Sequence, residues 1–179
     1  MYFVLCTEYF ILNLKTQDLG LKTHKMVSKG FGGKLRVRVS GLLVQEGRLL
    51  LLLHEGIGST GRLWLPPGGG MEYGSSMTDN VIREVAEETG LQVLPQQLVD
   101  VHEHLQPPLH AVELFFACEI TGGECKLGTD PELAADQQMI TALRWMSPEE
   151  LSALPRAEKH PLLNKSGLFE VILQGQSFL

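Results

Sequence analysis

Residues 68–90 read GGGMEYGSSMTDNVIREVAEETG, and this stretch is the most informative part of the chain. Three consecutive glycines open it, and a single glycine closes it. Ser76 suits the N-cap of a helix, and Asp79, three residues later, suits the acidic half of a capping box. Gly90 suits the C′ position, where a left-handed backbone ends a helix. The stretch therefore predicts a glycine loop followed by a helix between Ser76 and Gly90.

Three glutamates share this helix. At about 100° per residue, Glu87 and Glu88 lie within an arc of roughly 100° around Glu84, beside the apolar stripe that must face the sheet. Two unit charges about 5–6 Å apart repel by about 3 kcal/mol at an effective dielectric constant near 20. Arg83 offsets part of this repulsion through an i,i+4 pair with Glu87. One arginine does not balance three carboxylates, and a hard divalent cation, Mg²⁺ or Mn²⁺, would complete the balance. A solvated acidic helix face is the alternative, and the residues that flank the glutamates decide between the two.

The composition limits the kind of protein this is. Its 179 residues are typical of one domain, and 44% of them are apolar, which is enough for a core. The net charge of -6, without a long basic run, argues against binding to a nucleic-acid polymer. The cysteines Cys6, Cys118 and Cys125 form no CxxC pair, which favours a reduced, cytoplasmic location without structural zinc. Glu8 interrupts the apolar N-terminal run, which is too short to span a bilayer, so no membrane partner is expected.

The rest of the sequence alternates apolar runs with turn residues. We expect strands at 35–44, 49–55, 63–70 (ending in the glycine loop), 91–105 (one or two strands), 110–120 and 139–147. An acidic loop is expected at 127–138, a short helix after Ser147, and a last helix within 160–175. This order is not a regular βαβ repeat, so an α+β fold with a mixed sheet covered by helices is expected. We assign 1–34 to an N-terminal extension, 35–175 to the domain, and 176–179 to a C-terminal tail.

The glycine loop and the acidic helix together match a known pattern. The stretch resembles the Nudix hydrolase signature G-x5-E-x7-R-E-U-x-E-E-x-G-U, where U is a bulky aliphatic residue. Eight of its nine fixed positions match: Gly69, Arg83, Glu84, Val85, Glu87, Glu88, Gly90 and Leu91. Ser75 stands where the pattern has its early glutamate, which leaves the number of bound metal ions open. The resemblance implies a Nudix-like α/β/α sandwich with a mixed β-sheet.

The resemblance also implies an activity. Nudix hydrolases are pyrophosphohydrolases, which act on phosphorus-containing acid anhydrides. It implies metal-dependent hydrolysis of a nucleoside diphosphate linked to another moiety, with ADP-ribose, nucleotide sugars and nucleoside triphosphates all open. The partner would be a small nucleotide-type molecule, and a homodimer is compatible with the sequence. Two alternatives are a non-catalytic nucleotide-binding Nudix module and a diphosphate-substrate isomerase, which would need a reactive group such as a pocket cysteine.

Site roles follow from the same resemblance. It implies that Glu87 and Glu88 bind metal, that Glu84 binds metal or acts as the base, and that Arg83 orients the glutamates. It adds Glu72 and a backbone carbonyl near Gly68 to the metal site, and a late-loop carboxylate, for which we choose Glu132. Gly69 and Gly70 are expected to contact the substrate through their backbone. Trp64 and Tyr73 are expected to stack on a base with their aromatic rings.

Two further groups of side chains are assigned less specific roles. Alternation along a strand places Phe115 and Phe116 on opposite faces, so at least one belongs to the core. The histidines of the HEHLQPPLH stretch, His102, His104 and His110, have no metal-site spacing and are expected at the surface or in a substrate pocket.

The N-terminal boundary gives a first testable prediction. All elements of the expected sheet lie after about Leu35, and SKGFGGK (28–34) separates them from the first residues. A chain that begins at Met26 should therefore stay soluble and keep metal-dependent turnover. The competing hypothesis is that YFVL or YFIL adds a strand, in which case deletion exposes a sheet edge and causes aggregation. Solubility and turnover of the shortened chain decide between them.

Overall fold

The structure, a computed structural model, describes residues 32–128 and 138–179. Its strands are β1 (Leu35–Gln45), β2 (Arg48–Glu55), β3 (Arg62–Leu65), β4 (Gly68–Gly70), β5 (Leu91–Gln106), β6 (Leu109–Gly123) and β7 (Ile140–Met146). Its α-helices are α1 (Met77–Thr89), α2 (Pro148–Ala153) and α3 (Leu168–Leu173), with 3₁₀ turns at Arg156–Glu158 and Pro161–Asn164. None of the helices in these ranges is long and apolar enough to cross a bilayer.

The seven strands form a mixed sheet, which confirms the expected α+β class. The strand order is β3-β2-β1-β6-β5, while β4 pairs with β1 and β7 pairs with β2. Strand β1 runs parallel to β6 and antiparallel to its other partners. Residues 35–43 pair with β6, residues 38–40 also pair with β4, and the last two residues, Val44 and Gln45, pair with β2. Strand β1 therefore connects the two halves of the sheet, and its pairing with β4 holds β4 beside α1.

The core lies on both faces of the sheet. On one face, Val81 and Val85 of α1 pack in a cluster with residues from β1, β2 and β6. On the other face, the C-terminal helices pack on a second cluster that includes Trp64. Phe115 and Phe116 of β6 belong to different clusters and are 2% and 7% exposed. The alternation is confirmed and both rings are core, each contributing about 1.5–3 kcal/mol through burial.

Helix α1 is bounded by the two residues that the sequence predicts. The Ser76 side chain accepts a hydrogen bond from the Asp79 backbone N–H at 3.1 Å. The Asp79 carboxylate accepts a hydrogen bond from the Ser76 hydroxyl at 2.6 Å, so the expected return bond to the backbone is replaced by a side-chain bond. Gly90 has a φ of 71° and donates its N–H to Ala86.

Several element limits differ from the expectation. The three glycines expected to form a loop are strand β4, because Gly68–Gly70 pair with β1. Residues 91–105 form a single strand, and β6 continues past its expected end at residue 120 to Gly123. The expected last helix is divided, because Gly167 adopts a φ of 75° as the N-cap of α3. The acidic loop is described only in part, since residues 129–137 lie outside the described ranges.

The C-terminal residues, expected to be a tail, contact the sheet. The backbone N–H of Phe178 donates to the carbonyl of Val99 at 2.8 Å. The Phe178 side chain packs against the second core cluster, and the Lys165 ammonium lies 4.9 Å from the centre of its ring.

The capping geometry predicts a stability difference between two adjacent serines. Ser76→Ala removes the acceptor for the Asp79 N–H and should lower the free energy of unfolding by about 1 kcal/mol. Ser75→Ala is the matched control, because Ser75 donates its backbone N–H to the Glu72 carbonyl, a bond that the substitution keeps. Chemical denaturation of the two variants measures the difference. Equal losses would contradict a capping role for Ser76.

Candidate active site

The glycine strand lies directly against the carboxylates of α1. The N–H of Gly68 donates to Glu88 Oε2 at 2.8 Å, and this contact is buried. A β-carbon at Gly69 would overlap the carboxylate of Glu84. A β-carbon at Gly68 would overlap the backbone of β1. The backbone of β1 therefore requires glycine at position 68, and glycine at position 69 leaves the Glu84 carboxylate in its place.

Arg83 lies at the centre of the acidic cluster. Its guanidinium Nη2 is 2.7 Å from Glu84 Oε1, Nη1 is 2.9 Å from Glu87 Oε2, and Nε is 3.7 Å from Glu72 Oε1. Nη2 also donates to the carbonyl oxygen of Gly70 at 3.4 Å. The expected i,i+4 pair with Glu87 is present, and the same guanidinium holds Glu72 and Glu84 as well.

Burial and charge act against each other in this cluster. Burial raises the pKa of the Glu84 carboxyl, although Arg83 opposes the shift. Burial would lower the pKa of Arg83, but attraction to Glu84, Glu87 and Glu72 outweighs it and raises that pKa. Three carboxylates therefore contact one guanidinium, and a fourth, that of Glu88, accepts from Gly68 on the neighbouring strand. Such a set of hard oxygen donors with excess negative charge fits the requirements of Mg²⁺ or Mn²⁺.

The structure also brings together three side chains that sequence reasoning did not connect. They are His102, Glu113 and His160, whose potential metal-binding atoms all lie within 4.8 Å of one another. Sequence reasoning missed Glu113 and His160. Glu113 could have been found, because it shares a strand face with the core residue Phe115, and a charged side chain there needs a partner.

The hydrogen bonds of His160 argue against a metal ion in this second group. Its Nδ1 accepts the backbone N–H of Leu162 at 3.2 Å, so the proton of the neutral ring is on Nε2. Nε2 then donates to Glu113 Oε2 at 3.0 Å. A metal ion would need the lone pair of Nε2, and Nδ1 would then carry a proton facing another N–H. The rings of His102 and His160 lie nearly perpendicular, with their centres 5.1 Å apart. Burial, and then the nearby His160, lower the pKa of His102.

The remaining site candidates are found in different surroundings. Trp64, expected to stack on a base, is only 4% exposed, because its pairing with Leu53 turns it into the core. Tyr73 is fully exposed, as a stacking residue requires. Gly70 lies in β4 with its carbonyl toward Arg83. Glu132 lies outside the described residues.

Residues 34–165 match the family model of the NUDIX domain. Among curated proteins, YjhB of Bacillus subtilis is 31% identical over 141 residues, covering 74% of this chain and 65% of YjhB. An ADP-ribose pyrophosphatase of Methanocaldococcus jannaschii is 30% identical over 125 residues, covering 61% of this chain and 73% of that protein. The chain thus spans just under two thirds of the length of YjhB.

Solved structures share the fold. A NUDIX hydrolase from Nitrosomonas europaea superposes with a TM-score of 0.64 at 22% identity, over 81% of this chain and 93% of that one. The MutT protein from Methanosarcina mazei gives a TM-score of 0.60 at 21% identity, over 79% and 94% of the two chains.

The central position of Arg83 predicts a metal-dependent stability change. Arg83→Met leaves the surrounding carboxylates without their cation and should destabilise the metal-free protein by about 1–2 kcal/mol, since the site is partly exposed. Millimolar Mg²⁺ should then raise the melting temperature of the variant more than that of the unaltered protein. Arg48→Met, which breaks an exposed pair with Glu150 and a hydrogen bond to the Trp145 carbonyl, both away from the acidic cluster, is the control. Equal Mg²⁺ responses in both variants would contradict a cation site beside Arg83.

Proposed function

The chain belongs to the Nudix family, and we propose that it uses Mg²⁺ or Mn²⁺ to hydrolyse a nucleoside diphosphate linked to another moiety. One observation carries the proposal. The glycine strand brings Gly68 and Gly69 against Glu88 and Glu84, so backbone groups of β4 and carboxylates of α1 share one small region. Such a region suits a reaction in which an anionic diphosphate must be held beside a carboxylate that can take a proton.

The relatives suggest which substrate to test first. The Methanocaldococcus jannaschii relative is named an ADP-ribose pyrophosphatase, which makes ADP-ribose the first choice for this chain. The Escherichia coli relative NudJ, 29% identical over 125 residues, is named only a phosphatase. Nucleotide sugars and nucleoside triphosphates therefore stay in the proposed substrate range.

Each glutamate of α1 receives a role in the proposal. A bound divalent ion supplies positive charge for the phosphate oxygens and makes water easier to deprotonate. Glu87, Glu88 and Glu72 would hold it, with the carbonyl of Gly68 as a further donor. Glu84 is the candidate base, because burial raises the pKa of its carboxyl and makes its carboxylate a better proton acceptor. Arg83 fixes the positions of Glu84 and Glu87 through its two short contacts.

The substrate-contacting groups and domain limits remain part of the proposal. The backbone of Gly69 and Gly70 would face the phosphates, and the exposed ring of Tyr73 is the remaining aromatic candidate for stacking. Glu132 is kept as the late-loop carboxylate. The family match over 34–165 supports a domain beginning near Leu35, with the preceding residues as an extension.

The two alternative functions are less well supported. An isomerase needs a reactive acid or nucleophile, but burial raises the pKa of the Cys118 thiol to about 12. At neutral pH that thiol stays protonated and is a poor nucleophile. A non-catalytic binding module has no need of the three clustered glutamates of α1, all of which are present.

We expect Glu88→Gln to remove most of the hydrolysis while the fold is kept. The amide oxygen can still accept the Gly68 N–H, but the charge of a metal ligand is lost. The loss should be on the order of 100-fold, the upper part of the range for disturbed metal sites. Formation of the nucleoside monophosphate from ADP-ribose, nucleotide sugars and nucleoside triphosphates, each with Mg²⁺ and Mn²⁺, measures it. Glu119→Gln, at an exposed position of β6, is the control and should retain full turnover.

If the unaltered protein forms no nucleoside monophosphate from any substrate of this panel with either ion, the proposed activity is wrong. If Glu88→Gln turns over at the normal rate, Glu88 does not belong to the site.

A further inference from the structure

We propose that His160, Glu113 and Arg38 form a positioning chain that holds the Gly68 peptide against Glu88 and thereby supports turnover. The effect on turnover rests on the proposed hydrolase function, whereas the effect on the Gly68 peptide does not. The three residues lie outside the Nudix signature and come from three separate elements: the 3₁₀ turn after residue 160, strand β6 and strand β1. They are positioning residues, since none of them belongs to the carboxylate cluster.

The outer part of the chain is a buried hydrogen-bonded pair. His160 Nε2 donates to Glu113 Oε2 at 3.0 Å, and the Leu162 N–H on Nδ1 fixes the tautomer that permits this donation. The His160 and Glu113 side chains are 8% and 17% exposed. Burial alone would raise the pKa of Glu113, but the His160 hydrogen bond and the Arg38 charge outweigh it and lower that pKa. Glu113 is therefore a carboxylate at neutral pH.

The inner part of the chain leads from this carboxylate to the candidate active site. Arg38 Nε lies 3.4 Å from Glu113 Oε1. Arg38 Nη2 donates to the carbonyl oxygen of Gly68 at 3.2 Å. One guanidinium thus contacts Glu113 with one nitrogen and the glycine strand with another, and its planar shape fixes the angle between the two contacts.

The Gly68 residue is held from both ends. Its carbonyl accepts from Arg38, and its N–H donates to Glu88 at 2.8 Å. Gly68 has no side chain that could add support, so the orientation of its backbone N–H and carbonyl depends on these two hydrogen bonds and on its pairing with Ser40. A shift of Arg38 therefore moves the Gly68 carbonyl, the proposed backbone ligand, and disturbs the bond that orients Glu88.

A neighbouring ion pair provides a matched control. Lys165 Nζ contacts Asp100 Oδ2 at 2.7 Å, and the Asp100 side chain is 4% exposed. Like His160 with Glu113, this pair joins the C-terminal segment to a strand through a buried carboxylate. Its contacts lead to β5 and not to Gly68. A variant at Asp100 therefore tests attachment of the C-terminal segment alone.

The experiment compares three variants in the full chain. Glu113→Gln replaces one carboxylate oxygen by an NH₂ group, so either His160 or Arg38 faces a donor at the position where it now finds an acceptor. Arg38→Lys keeps the charge, but its single ammonium cannot replace the two fixed contacts of the guanidinium. Asp100→Asn is the control. The measurements are hydrogen exchange of the Gly68 amide, by NMR without substrate, and kcat and KM on the best substrate of the panel.

We expect the Gly68 amide to exchange at least about 10-fold faster in Glu113→Gln and Arg38→Lys, with kcat lowered about 10- to 100-fold and KM changed less. Asp100→Asn should leave both the Gly68 exchange rate and kcat within about 2-fold of the unaltered protein. This should hold even if it lowers the melting temperature as much as the two positioning variants do. Two variants keep the test valid if one of them fails to fold.

Unchanged Gly68 exchange in both positioning variants overturns the proposal, as does an equal loss of kcat in Asp100→Asn. If the unaltered protein is inactive on the panel but Gly68 exchange responds as expected, the proposed hydrolase function fails and the positioning chain stands. These two failures are therefore distinguishable.

Discussion

The close contact between the glycine strand and α1 is the constraint on which the rest of the site depends. Glu84 and Glu88 are largely buried, and each meets backbone atoms of β4 where a larger residue would not fit. Burying carboxylates in this way is unfavourable unless they are paired. Arg83 supplies the pairing on one side of Glu84, and the Gly68 N–H supplies it for Glu88. Strand pairing with β1, in turn, holds β4 at the required distance.

The local parts of this arrangement could be predicted from the sequence. The limits of α1, its N-cap at Ser76, its end at Gly90 and the pair between Arg83 and Glu87 all depend on residues within a few positions of one another. The opposite facing of Phe115 and Phe116 follows from strand geometry alone. These features need no knowledge of the tertiary fold.

The non-local parts could not be predicted. The glycines form a strand only because β1 lies beside them, and Trp64 is buried because β3 pairs with β2. Glu113 and His160 are 47 positions apart, and neither residue type signals the other. The substrate is a further non-local property. It depends on surfaces outside the Nudix signature, which describes only the glycine strand and the acidic helix.

The parallel pairing of β1 with β6 has a consequence for how the protein folds. Leu35 pairs with His110, so this ladder joins positions 75 residues apart (110 − 35), whereas β5 and β6 meet across a tight turn from Gln106 to Leu109. Closing the longer loop costs more chain entropy, and non-local strand pairing is slow. Helix α1 and the β5–β6 hairpin can therefore form from nearby residues, while Arg38 reaches Glu113 only once the parallel ladder has closed. On this view, a chain can acquire most of its secondary structure early and still lack an assembled site, so recovery of function would lag behind recovery of helix and sheet during refolding.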